Sequence, residues 1–461
     1  MSNPVTMLES LQAKGEQLAE SKWKNYVEGL KGTDAPFTAQ ILENTSRYIA
    51  GMEETSRATN VGNFDRFAFP LIRAVFPNLI AQDLVSVQPM DGPVGLVFFF
   101  DLIYGSNKGS IAAGTPMFSS LTGHPGDDFY SGPEIRDEAI GAGAGAALFA
   151  NAVAYTPVVP NTLIITDGTQ SVRDNGLGQL VGDINPAGVN TINYNTGAYS
   201  VTFAAVVAAG VAVTADYEFD NEANSQVPEV DFQLTSAPVV AKINKLRTRY
   251  SLEAAQNLKA LHGLSAETEL VVALAQELRF EIDRNVIRDV NSFAQATAVT
   301  WPLAPGVGLS WTEHKLSFVD ILIRGSNNIF QLTRRGQPNW VVCGLEVSSV
   351  IESLPGFKAS DAMQSPNGVI FAGTLAGRWR IYKDPYNIDN TATQQNLLIG
   401  YKGATFLDAG YVYAPYIPFY TTPSVVLDDF IVRKGMATQW GKRKINGRFY
   451  CRGTVTGTWA P

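Results

Sequence analysis

The side chains suited to catalysis or metal binding are few and scattered along these 461 residues. Histidine occurs at 124, 262 and 314, and cysteine at 343 and 451. Zinc-type sites need nitrogen and sulfur ligands at short, repeated spacings. None of His124, His262 or His314 has a second His or Cys at such a spacing, so no metal is expected. His262 stands just before Gly263 at a predicted helix end, where an imidazolium is favoured by the helix dipole, and it reads as a capping residue. Cys343 lies in the apolar run "VVCGL" and reads as a small packed hydrophobe. Two cysteines are too few for a disulfide framework and suit a reducing compartment.

Paired carboxylates could do the acid–base work of a glycosidase, and adjacent pairs occur at Glu53-Glu54, Asp127-Asp128 and Asp428-Asp429. Neighbours in sequence are commonplace on solvated loops, and the separation that matters is one across a fold. Nucleophile elbows, phosphate-cradling loops and Cys-x-x-Cys pairs are absent from the sequence. The stretch "AIGAGAGAALFANAVA" (Ala139 to Ala154) has the alternating glycines of a dinucleotide loop, but Ala146 stands where a third glycine is needed. It reads as a flexible loop. The aromatics of "DAGYVYAPYIPFY" (Asp408 to Tyr420) could stack sugars or bases. Pro415 and Pro418 favour instead a sheet-edge strand packed against a partner. By elimination the chain reads as structural, with no catalytic residue and no cofactor.

Charge is unevenly distributed. The net is −8, yet Gly114 to Pro238 holds 14 acidic residues against 2 basic, a net of −12. From Ile431 to Pro461 there are no acids and 7 bases: Arg433, Lys434, Lys442, Arg443, Lys444, Arg448 and Arg452. The acidic middle and the basic end suggest different surroundings. A solvated face with a tail pairing to acidic neighbours and a tail placed near nucleic acid both remain open. The first twenty residues lack the apolar core of a secretory signal. The longest apolar run near the middle, Phe203 to Val213, has 11 residues, too few to cross a bilayer. An intracellular product is expected.

The elements that would position these residues follow from periodicity. Residues 1–63 are polar with short helical patterns and read as an arm. Leu84 to Val87 and Val94 to Tyr104 read as paired strands around the turn "QPMDGP". Between 114 and 238, short β-rich runs broken at Asp167-Gly168, Thr196-Gly197 and Ala209-Gly210 predict hairpins of a small inserted sandwich. Then Leu270, Leu274, Leu278, Ile282, Val286 and Val290 recur every four residues, predicting a helix over Ser265 to Val290 capped by Ser265. At 1.5 Å per residue it would be about 39 Å long. A shorter helix, "SLEAAQNLKALHG", stops at Gly263.

Three stretches together resemble the major capsid protein of tailed bacteriophages, of the large contractile-tailed (myophage) type. They are "RAVFPNLIAQDLVSVQPMDGPVGLVF", "RYSLEAAQNLKALHGLSAETELVVALAQELRFEIDRNVI", and "FAGTLAGRWRIYKDPY" followed by "LLIGYKGATFLDAGYVYAPYIPF". The resemblance covers roughly Phe69 to Ala113 and Val239 to Phe419. It implies an α+β chain with the tailed-phage major capsid fold, shared with encapsulins and the herpesvirus shell floor. On that view 1–63 is the N-terminal arm and 64–113 begins the peripheral framework. Residues 114–238 are the extended loop and a β-rich insertion, and 239–300 the peripheral domain with its spine helix. Residues 301–430 form the axial domain with the return to the peripheral domain, and 431–461 a basic tail.

The implied function is a non-enzymatic shell protein that self-assembles into the icosahedral or prolate head around double-stranded DNA, as part of a virion made in the bacterial cytoplasm. The implied partners are itself in hexamers or pentamers, a portal, a scaffold, a prohead protease, vertex and decoration proteins, and packaged DNA, with no membrane. The family's subunits are often trimmed after an apolar-x-Glu sequence. Ile41-Leu42-Glu43 fits that pattern, making Glu43 a candidate cleavage residue, and Leu18-Ala19-Glu20 fits it too. Two other readings stay open: an encapsulin-like cellular compartment, and a carbohydrate-binding or decorating role for the inserted module.

Overall fold

The computed structural model describes residues 13–27, 34–55, 79–117, 129–143, 145–360, 369–386, 391, 394–403, 409–426 and 431–457. The chain divides into two compact units, one formed by Met1–Phe100 with Leu234–Pro461 and the other by Asp101–Gln233. The second unit begins and ends earlier than the 114–238 insertion expected from composition.

In chain order, the first unit opens with helices α1 (Lys24–Val27), α2 (Asp34–Thr55) and α3 (Ala81–Leu84) and strands β1 (Ser86–Val87) and β2 (Val94–Tyr104). The second unit supplies β3 (Glu134–Ala142), β4 (Leu148–Ala152), β5 (Ile164–Thr166), β6 (Ser171–Asp174), β7 (Leu180–Gly182), β8 (Thr191–Ile192), β9 (Ala198–Thr202) and β10 (Ala212–Glu218). The chain returns along β11 (Val230–Val240) to β12 (Lys242–Ser251), α4 (Leu252–His262) and α5 (Ala266–Phe293). Then come β13 (Ala296–Pro302), α6 (Trp311–Thr333), β14 (Trp340–Gly344), α7 (Leu345–Glu352), β15 (Phe357–Ala359), β16 (Ile370–Leu375), β17 (Trp379–Asp384) and β18 (Gln394–Gly400). The last elements are β19 (Tyr411–Thr421), β20 (Val425–Val426), β21 (Ile431–Lys444) and β22 (Tyr450–Thr456).

Two sheets organise the first unit. One runs β1-β19-β21-β12, with β20 also on β21, and the other runs β13-β22-β18-β14-β17-β16-β15. The predicted spine is α5, three residues longer than expected at its C-terminal end. Leu278, Ile282, Val286 and Val290 are fully buried, whereas Leu270 and Leu274 are only half-buried, so the stripe engages the core from its middle onward. Ser265 does occupy the N-cap position but its side chain makes no capping hydrogen bond. Stronger end signals are found elsewhere. Ser251 caps α4 by accepting from Ala254 N, and Gly263 ends it at φ 67°. Ser310 and Glu313 form a reciprocal capping box on α6. His262 lies in the last turn of α4, as predicted.

The predicted hairpin around "QPMDGP" does not form. β1 pairs in parallel with β19, and β2 pairs with β11. Beyond β1 the backbone keeps following β19, because Gln88 N and Met90 N donate to the carbonyls of Tyr413 and Pro415. The Gln88 side chain then does what a neighbouring strand would do: its amide donates to Phe98 O at 3.1 Å and accepts from Phe98 N at 3.3 Å. In the aromatic strand β19, register shifts fall at Pro415/Ile417 and Ile417/Tyr420, where proline cannot donate to the ladder.

Residues 431–457, read above as a basic tail, are strands: β21 lies between β19 and β12, and β22 lies between β13 and β18. Residues 13–27 and 34–55 also do more than an arm requires. Trp23, Val27, Ala39, Ile41 and Leu42 are buried in the same core as the spine.

The second unit has its own core. The sheets β3-β10-β5-β6-β7 and β4-β9-β8 enclose Ile135, Ile165, Val172, Val201, Phe203, Val213 and Tyr217. The three expected turns are present, with Gly168, Gly197 and Gly210 at φ 86°, 69° and 85°, but only the first two close hairpins, β5-β6 and β8-β9; Ala209-Gly210 joins β9 to β10, which lie in different sheets. The glycine-rich stretch is not a loop throughout, since it contributes the last four residues of β3 and all of β4. Its small residues permit close approach: a side chain at Gly143 would collide with the Ala208 carbonyl.

Candidate functional site

Residues able to do chemistry are dispersed or sealed. His314 is buried, stacked on Trp301 with ring centroids 4.6 Å apart, and its Nε2 lies 2.8 Å from Pro302 O. Cys343 and Cys451 are free, buried thiols, and burial pushes each up to about 12, which keeps them protonated and inert. His124, Asp127-Asp128 and Asp428-Asp429 lie outside the described residues, and Glu53-Glu54 fall in α2 where side chains are not described. Among the described residues no group of three or more His, Cys, Asp or Glu is placed to hold a metal.

Glu43 sits in α2 with its side chain 12% exposed. It accepts from Lys22 Nζ at 2.9 Å and Trp23 Nε1 at 3.0 Å, with Arg47 3.5 Å away. Burial alone would raise its carboxyl, but the bonds from Lys22 and Trp23 and the charges of Lys22 and Arg47 together hold it below the usual range. Glu20 is exposed near the end of the helical stretch at 13–20.

A charged seam joins the spine to β21. Glu267 meets Lys434 at 2.5 Å, and Asp289 meets Lys442 at 2.5 Å and Lys444 at 3.7 Å while accepting from Tyr411 Oη at 3.0 Å. Three of the seven terminal bases are thereby committed to spine carboxylates. Deeper in, Asp283 is fully buried and accepts from Ala81 N at 3.0 Å, with Arg279 3.9 Å away. Burial raises its carboxyl to about 7, against the opposing pull of the Ala81 bond and the Arg279 charge. Sequence reading missed Asp283, although its spacing to Phe280 and Ile287 on the helix already placed it on a buried face. It also missed Lys108 in the second unit. That side chain, 1% exposed, donates to the carbonyls of Phe129 at 2.7 Å, Tyr130 at 2.9 Å and Gly132 at 2.5 Å.

Nothing in this arrangement gathers into a reactive centre. What stands out is a frame: a long helix ion-paired to a sheet, a helix α4 with no buried residue, and exposed apolar side chains such as Leu261 and Leu264. Such surfaces are typical of subunits completed by their neighbours. The model of the family described as major capsid protein Gp23 matches residues 61–455. The chain belongs to that family.

The relatives of this Gp23-family chain include the major capsid protein of Vibrio phage KVP40, 29% identical over 409 residues, covering 80% of this chain and 73% of that one. The major capsid protein of Enterobacteria phage T4 is 28% identical over 400 residues, covering 80% and 72%. That of Salmonella phage ViI is 25% identical over 422 residues, covering 88% and 83%. Solved structures it is similar to include the capsid of Myoviridae phage XM1, with a TM-score of 0.35, 11% identity, and coverage of 52% of this chain and 81% of that one. The holo-SrpI encapsulin complex from Synechococcus elongatus PCC 7942 gives a TM-score of 0.34 and 9% identity, covering 50% and 81%. The Gp23-family chain is therefore a major capsid protein, a component of the virion that forms the head shell by assembling with copies of itself. It is an α+β chain. The family is structural.

Proposed function

We propose that this capsid protein works purely as structure, without catalysis, and builds hexamers and pentamers around packaged double-stranded DNA. Its further partners would be a portal, a scaffold, a prohead protease, and vertex and decoration proteins. The observation that carries the reading is the family match across residues 61–455. In this reading 239–300 and 409–444 form the peripheral domain, 301–403 together with β22 the axial domain, and the second unit the extended loop with its insertion. DNA contacts would be made to phosphates without base readout. Electron microscopy of the expressed full chain, with its scaffold where assembly requires one, should show closed shells or tubes with a hexagonal lattice. A monodisperse monomer under assembly conditions would count against it.

We further propose Glu43 as the maturation cleavage residue. Ile41 and Leu42 are fully buried and Glu43 is held by Lys22 and Trp23. Cleavage would therefore require α2 to be undocked, which points to a substrate that is the newly assembled shell. Mass spectrometry of mature particles should find an N-terminus at Asn44; full-length chains there would remove the assignment, and an N-terminus at Ser21 would move it to Glu20.

A further inference from the structure

Side chains alternate along β12. Asn244 bonds Glu281 of α5 and Leu246 packs into the core beside the spine, so Lys245, Arg247 and Arg249 point to the opposite face of the sheet, where all three are exposed. Among the described residues none of the three has an ion-pair partner. The register sets Arg249 directly opposite Arg433 on β21. Lys245, Arg247 and Arg433 line an open groove of about 650 Å³ with Tyr420, Thr422 and Val425.

The second unit carries a feature of opposite sign. On β10 Val213, Ala215 and Tyr217 are buried, so Asp216 and Glu218 face away from that core, and Asp220 continues the row. Glu218 stands directly opposite Glu134 on β3. On β3 Glu134 is already ion-paired with Arg136 at 2.8 Å, so the outward negative charge of this face comes from Asp216, Glu218 and Asp220. Successive side chains on one strand face are roughly 6.6–6.8 Å apart. Lys245, Arg247 and Arg249 on β12 and Asp216 and Glu218 on β10 therefore form rows of one spacing, and Asp220 follows two residues past the end of β10.

We propose that in the shell the β12 groove of one copy receives the acidic β10 face of a second copy, with Lys245, Arg247 and Arg249 meeting Asp216, Glu218 and Asp220. The proposal rests on self-assembly, which family membership supplies. The groove's volume is that of a site for a small ligand or a few side chains, which suits a row of carboxylates better than a duplex.

The test is a charge exchange in the full chain. Variant one carries Lys245→Glu, Arg247→Glu and Arg249→Glu; variant two carries Asp216→Lys, Glu218→Lys and Asp220→Lys; a third chain carries all six. Asp216 and Asp220 also accept from Asp137 N at 2.7 Å and Glu222 N at 3.0 Å, so thermal melting of the unassembled chains is compared with the parent first. If a triple variant melts early, Arg247→Glu and Glu218→Lys replace the sets. Each triple variant should raise the concentration needed for assembly by about tenfold or more, less so at high salt, and the six-fold variant should recover it. Parent-like assembly by either triple variant, or failure of the six-fold chain to recover, overturns the proposal. If variant one forms shells normally but retains less double-stranded DNA, the groove serves phosphates instead.

Discussion

Two buried charges make opposite predictions. Asp283 has its carboxyl raised to about 7 by burial, whereas an unfolded chain releases that proton near pH 4. Between about pH 4 and 7 the native state therefore binds a proton that the unfolded state has lost, and stability falls as pH rises through that window. Asp283→Asn should flatten this slope in denaturant titrations of the unassembled protein at a series of pH values. An unchanged slope would mean that Asp283 stays ionised in the core. Lys108 is held lower than usual, at about 8, by burial, with Glu134 acting against that trend. Its three carbonyl partners would lose their donor in Lys108→Met. A loss of about 3 kcal/mol or more is expected for the second unit, read as faster hydrogen exchange in β3 and β10. Neither residue was legible in the sequence. A lone Asp in a helix and a lone Lys before a turn look solvated until distant carbonyls or apolar residues close over them.

At the scale of elements, local signals were legible where local chemistry decides. The four-residue recurrence from Leu270 to Val290 gave α5, and the turns at Asp167-Gly168 and Thr196-Gly197 gave two hairpins of the second unit, whereas Ala209-Gly210 crosses between its sheets. Pairing partners were not legible, because β1 selects β19 and β2 selects β11 across hundreds and more than a hundred residues respectively, and nothing in "QPMDGP" encodes those choices. The two serine N-caps make the distinction testable. Ser310→Ala breaks the capping box of α6 and should cost about 1 kcal/mol, while Ser265→Ala removes no side-chain bond and should stay within about 0.5 kcal/mol. Equal losses in chemical denaturation would contradict the cap assignments.

For the whole molecule, composition predicted a structural role because reactive groups never cluster, and family motifs predicted what is built. Uneven charge was visible, but its use was not: Lys434, Lys442 and Lys444 serve the spine, and only the fold separates them from the outward ladder at Lys245, Arg247 and Arg249. Strands β21 and β22 add a constraint in time. Each lies between two strands that precede it in the chain, so both sheets of the first unit lack an inner member until β21 and β22 have been synthesised. At about 5–20 residues per second a ribosome needs tens of seconds to reach them. Throughout that interval β12, β13, β18 and β19 have open edges, while the second unit already has every strand of its own core. Deleting residues 445–461 should therefore abolish the cooperative transition of the first unit and leave that of the second, as followed by hydrogen exchange. A chain built in this order cannot present a finished subunit to a growing shell before its own synthesis has passed β22.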